Sequence, residues 1–121
     1  MIKANIEHYQ NYISGFTITG HADAGEYGQD IVCSAVSVLS ISTVNGLQEV
    51  AGIDIEVESD DKNGGYLSVK VPVIKDSKQS IQADAILRTF ENGLKDITAR
   101  YSKYITLNEV SSKQAKTKNI L

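Results

Sequence analysis

Cys33 is the only cysteine in the chain and His21 is one of two histidines. They flank a short run rich in glycine and acid, between a strand-like stretch and a long apolar one. A thiol and an imidazole brought together across one loop supply a nucleophile and a general base. With Asp30 read as the N-cap of the following helix, Cys33 falls at the third helical position. The positive end of a helix favours a thiolate there. Free amides of that turn, those near Ser34 among them, are donors for an oxyanion. The competing reading makes Cys33 a small buried hydrophobe on the helix's apolar face, and composition alone favours it. Two details weigh against it. Cys33 is assigned to the first turn, and His21 follows a glycine at a strand end instead of occupying an apolar position.

The neighbours are less specific. Ser37 sits one turn after Cys33 on the same helical side, as a pocket wall or as a small packing residue. Asp30 is placed to orient His21 as a third member, but capping accounts for it without catalysis. Asp23 and Glu26 read as solvated loop acids, and His8, which shares the parity of Ile6, as a half-buried structural histidine. No close pair of metal ligands is spaced along the chain, so neither metal nor cofactor is expected. Glycines 20, 25 and 28 do not match a phosphate loop.

The elements that must position these residues follow from hydrophobic periodicity. Ile2, Ala4 and Ile6 alternate with polar residues, which is strand periodicity. After a turn at Gln10-Asn11-Tyr12, Ile13 to Gly20 reads as a second strand, with Phe16 and Ile18 on one face and His21 on the other. Residues 21–29 read as a loop. From Ile31 to about Ala51, Ile31, Val32, Ala35, Val36, Leu39, Thr43, Leu47 and Val50 recur at helical steps. Gly52 ends the helix. Ile53, Ile55 and Val57, then Leu67, Val69 and Val71, alternate on either side of the turn-forming run from Asp60 to Gly65, as in a hairpin. A second helix, capped at Ser77 or Ser80, runs to about Ser102, and Tyr104 to Val110 reads as a last strand. The order is ββαββα(β), with one apolar face per strand. This predicts an α+β two-layer sandwich: a mainly antiparallel sheet with two helices on one face. A single domain over residues 1–110 is expected, with a polar, flexible tail at 111–121.

Composition sets the outer bounds. The 121 residues are 41% hydrophobic and 22% charged, ordinary globular values that fit one core. A net charge of −3 leaves no basic footprint for direct nucleic-acid binding. One cysteine rules out an intrachain disulfide and fits a reducing compartment. No apolar run reads as long enough to span a bilayer. The N-terminal residues lack signal-peptide features, and a cytoplasmic protein is expected.

Gly20-His21-Ala22, followed by Gly28-Gln29-Asp30-Ile31-Val32-Cys33-Ser34-Ala35-Val36-Ser37, resembles the signature of the ribosomal-processing cysteine protease Prp (YsxB-like) family. The resemblance extends over most of the chain in element order. It implies a Cys–His endopeptidase that removes the N-terminal extension of a bacterial large-subunit ribosomal protein, the one numbered twenty-seven, after an apolar, aromatic-ended sequence. Cleavage lets ribosome assembly finish. By position, Cys33 is the implied nucleophile and His21 the general base and acid. Gly20 belongs to the same motif, and Asp30 and Ser37 match positions near the site. Residues 22–29 become a mobile cover, and a homodimer is implied. An aromatic-ended peptide needs an apolar groove, with Tyr27, Val36 and Tyr66 as wall candidates. The alternative of a different class is a non-catalytic ribosome-associated binding module of the same fold, with Cys33 merely packed.

Overall fold

The computed structural model describes residues 1–20, 27–60 and 65–112, with residues 27–30 described in backbone only. In chain order the elements are β1 (Ile2–Tyr9), β2 (Tyr12–Thr19), α1 (Tyr27–Asn45), a π-helical turn (Gly46–Val50), β3 (Glu56–Asp60), β4 (Tyr66–Lys70), α2 (Ser77–Arg100) and β5 (Ile105–Ser112). One five-stranded sheet has the order β3-β4-β2-β1-β5. All of its pairings are antiparallel except β1 with β5. The expected two-layer α+β sandwich is the fold observed.

The parallel pair explains the layering. Strands running the same way need a crossover connection. β4 reaches β5 through α2, and β2 reaches β3 through α1, so each helix crosses the sheet once. Between helices and sheet lies the core. Ile2, Ala4, Ile6, Phe16, Ile18, Val69 and Ile105 come from the strands, Val32 and Val36 from α1, Leu47 from the π turn, and Ala83, Leu87, Phe90 and Leu94 from α2. The Phe16 and Phe90 rings meet at 4.2 Å between centroids, joining the central strand to α2.

Several boundaries differ from the sequence expectation. α1 starts at Tyr27, so Asp30 lies inside the helix and does not cap it, and Cys33 is in the second turn. Gly28 misdirected the reading. A glycine costs a helix only about 1 kcal/mol, which tertiary packing readily overrides. The cap of α2 is Asp76, not Ser77 or Ser80; its carboxylate accepts from the Gln79 amide at 2.9 Å. Ile53 and Ile55 are buried but precede β3, whose own residues are all exposed at the sheet edge. Val50, assigned to the buried stripe, is 67% exposed. The π turn takes more residues per turn than an α-helix and so rotates Val50 outward after Leu47. Gly52, at φ +68°, ends the element as expected, and the Ile53 amide donates to the Leu47 carbonyl at 2.8 Å.

One expectation is reversed outright. The helical run Ile31–Val50 is 20 residues long with a mean hydropathy of 1.5, long and apolar enough to cross a membrane. Its only charge is Glu49. In this fold Val32, Val36 and Leu47 turn one face of it into the core, while 28% of the run is buried and Val38, Ile41 and Val50 are exposed.

His8 is half-buried, as expected, but it has company that its sequence neighbours did not announce. Its Nε2 lies 2.8 Å from Glu109 Oε1 on β5 and 3.2 Å from Glu91 Oε2 on α2, and Lys95 Nζ stands 3.6 Å from Glu109 Oε2. The hydrogen bond with Glu109, then burial and the Glu109 charge, hold the Glu91 carboxyl above the usual carboxylate range. The hydrogen bonds from Glu91 and then His8 hold Glu109 below it. The pair thus favours one shared proton. The Glu91 contribution is present below the unfolded carboxyl value and is lost as pH rises through the raised one. That of Glu109 is present above the unfolded value and is lost as pH falls through the lowered one. Glu91→Gln makes the shared hydrogen permanent. Wild-type stability is therefore expected to decline relative to this variant as pH rises above the ordinary carboxyl value of 4.5, read from urea midpoints. Parallel curves would contradict the shared proton.

Candidate active site

Gly20 sits where β2 leaves the sheet. Its φ of +83° is left-handed, and its amide donates to the Gly65 carbonyl at 2.9 Å, tying the end of β2 to the start of β4. A Cβ at this position would run into the Met1 carbonyl oxygen. Glycine is thus required on two independent grounds: backbone conformation and close approach of β1. His21 is the next residue and lies outside the described residues, as do Ala22 to Glu26.

Beside this strand end, α1 and the sheet enclose a cleft of about 630 Å³. Cys33 lines it, partly buried: its side chain packs against the edge of the core, as the packing reading expects, yet it is not fully enclosed. Helix geometry accounts for its position. Val32 and Val36 are turned into the core, and the next residue along a helix is rotated by about 100°. Cys33 is therefore carried to the flank that faces β3 and β4. Ser37 and Ser40 lie on the same side one and two turns later. Ile18, Leu67 and Val57 form the sheet side of the cleft. The lining is mainly apolar, with one thiol and a few hydroxyls at its surface.

The expected residues divide as follows. Gly20, Cys33 and Ser37 meet at the cleft, and so do the wall candidates Val36 and Tyr66. Ser34 is exposed and does not line the cleft with Cys33. As the eighth residue of α1, its amide is committed to the carbonyl four residues back, so it is no oxyanion donor. Among the described residues, the free amides at the start of α1 are those of residues 27–29. The field of the helix end falls off within the first turn, so it acts on Cys33 less than a first-turn position implies. Residues 27–29, read as part of a loop, are helical; the side chains of Tyr27 and Asp30 lie outside the described residues. Sequence reading missed Ser40, Ile41 and Val44, whose spacing from Cys33 places them on its side of α1, and Val57, Ser59 and Leu67, which only the sheet brings near.

No set of metal ligands faces this cleft among the described residues. His8, Glu91 and Glu109 bring three donor atoms within 4.8 Å of one another. They stand at the far end of β1, six residues from Ile2, or roughly 20 Å along a strand.

The family model for the cysteine protease Prp matches residues 1–106. The chain belongs to this family. The ribosomal processing cysteine protease Prp of Staphylococcus aureus is 31% identical over 96 residues, 79% of this chain and 86% of that protein. A crystal structure from Streptococcus mutans superposes with a TM-score of 0.84 at 29% identity, over 93% of this chain and 96% of that one. The S. aureus protease crystallised with a substrate peptide has a TM-score of 0.76 at 28% identity, over 90% and 99% of the two chains. The same protease with a covalently linked product peptide has a TM-score of 0.74 at 30% identity, over the same shares.

Gly20→Ala tests the strand-end geometry. A left-handed alanine costs about 1–2 kcal/mol before the Met1 carbonyl has moved. Thermal unfolding should shift down by at least several degrees, with loss of whatever activity the cleft supports. A variant as stable as the wild type would contradict the assignment.

Proposed function

We propose that this chain is a cysteine endopeptidase that removes the N-terminal extension of a bacterial large-subunit ribosomal protein, number twenty-seven, and so supports ribosome assembly. One observation carries the reading. The chain's single thiol lines the apolar cleft without being fully buried, in a sequence matched to the protease family over residues 1–106. The S. aureus relative bound to a substrate peptide and to a covalently linked product peptide supports it.

In this reading the apolar residues preceding the cut lie in the cleft. His21 takes the proton of Cys33, and the sulfur attacks the scissile carbonyl to form a C–S bond. Free amides of residues 27–29 are the nearest unpaired donors on α1 for the oxyanion. The C–N bond then breaks and His21 protonates the departing amine. Water, deprotonated by His21, attacks the acyl-enzyme and returns the thiol. Gly20 sets the direction in which the chain approaches His21, Ser37 lines the wall beside Cys33, and Asp30 lies one turn before Cys33 to support the dyad. The catalytic unit runs through β5 to Ser112, two residues beyond the boundary expected at 110, because Ser111 and Ser112 pair with His8 and Tyr9; residues 113–121 follow it, and it acts in the cytoplasm without metal or cofactor.

Incubation with the extended ribosomal protein, followed by intact mass, tests the proposal. The substrate is expected to lose its N-terminal extension with the wild type. Cys33→Ala, Cys33→Ser and His21→Ala should each abolish the loss while circular dichroism stays unchanged. An unchanged substrate mass with folded wild type, or cleavage by Cys33→Ala, would sink it.

The working assembly we propose is a homodimer. Ile31 and Val38, seven residues apart on one face of α1 and outside the cleft, are 37% and 66% exposed, an apolar surface that a second copy can cover. Light scattering should return the mass of two chains, and a monomer's mass would reject the assembly.

A further inference from the structure

Ser40 is 3% exposed, and its Oγ has no hydrogen-bond partner. This is unusual for a helical hydroxyl, which normally bonds back to the carbonyl one turn earlier. Thr43 and Thr89 do so here, donating to the Leu39 and Ala85 carbonyls at 2.8 Å. A buried, unpaired hydroxyl is costly, and alanine would be the better helix former at this position. Thr98 carries the other such hydroxyl, but Ser40 borders the cleft that holds Cys33.

Its neighbours define what it meets. Around Ser40 the cleft is walled by Val36, Ile41, Val44, Val57 and Leu67. Such a wall takes apolar side chains but offers little to the backbone of a peptide, whose N–H and C=O groups need partners once water is displaced. Ser40 follows Cys33 by seven residues, or roughly 10 Å along a helix. An extended peptide advances about 3.3 Å per residue, so a chain lying along α1 passes Ser40 about three residues from the scissile bond.

We infer that Ser40 is a substrate-positioning residue: its hydroxyl hydrogen-bonds to the main chain of the bound peptide about three residues before the cut. The inference rests on the peptidase reading. The hydroxyl is withdrawn from water and unpaired among protein groups, and a rotation about χ1 toward the cleft that Ser40 lines gives it a main-chain partner on the peptide.

A fluorogenic peptide spanning the cleavage site tests this with wild type and Ser40→Ala. KM should rise about fivefold, the size of one neutral hydrogen bond. Turnover should stay within about twofold, and the melting temperature should not fall. A set of peptides with one backbone amide at a time replaced by an ester, two to four residues before the cut, supplies the second readout. At one position the loss caused by the ester and the loss caused by Ser40→Ala should not add. An unchanged KM in Ser40→Ala, or additive losses at every ester position, overturns the role of Ser40 and leaves the peptidase standing. Failure of the wild type to cleave the parent peptide overturns both.

Discussion

The register of α1 on the sheet is the constraint on which the site depends. Val32, Val36 and Leu47 are essentially withdrawn from water, and burying each is worth roughly 1.5–3 kcal/mol. That burial holds the rotation of α1 about its axis. Cys33, Ser37 and Ser40 are not chosen for the core; they follow from it, a quarter-turn away. A helix rotated by one residue would exchange the thiol for its buried neighbour. The chemistry of the cleft is thus set by hydrophobic side chains that never touch it.

Topology supplies the other wall. Since β2 reaches β3 through α1, passing over β4, the hairpin of β3 and β4 comes to lie on the flank of α1 where Cys33 emerges. β3 is exposed along its whole length, and Val57 on it is 39% exposed. The cleft is the space that α1 leaves uncovered at that edge. The second crossover, through α2, brings β5 against β1 and assembles His8, Glu91 and Glu109 from three elements at the opposite end of β1. The polar clasp and the cleft are therefore separated along one strand, and changes to the clasp can act on stability without entering the site.

Much of the architecture was legible in the sequence because its signals are local. Strand alternation, the helical stripe of α2 and the turn residues between β3 and β4 each report a period within a few residues. Errors gathered where a local signal had a tertiary competitor. Gly28 spoke for a loop where the backbone is helical. Val50 fitted a helical stripe that the π turn then rotated out. Ser77 and Ser80 are good caps, but Asp76 reaches the Gln79 amide. At the site, the thiol and the glycine before His21 were legible because few residue types can serve there. Ser40 was not, since a serine in an apolar helix looks like any small residue until its hydroxyl is found buried and unpaired.

By itself the sequence determined the chemical inventory: one thiol, a histidine following a glycine, and helix and strand periods sufficient for a two-layer sandwich. These are properties of residue type and spacing, which the chain carries before it folds. Tertiary structure alone decided that α1 begins at Tyr27, which puts Cys33 in the second turn and withdraws the Ser34 amide from the oxyanion. It also decided that β5 lies parallel to β1, and that Val57 and Leu67 face the thiol. Those outcomes depend on which distant surfaces bury one another, and burial is a free energy of contacts that no local period encodes.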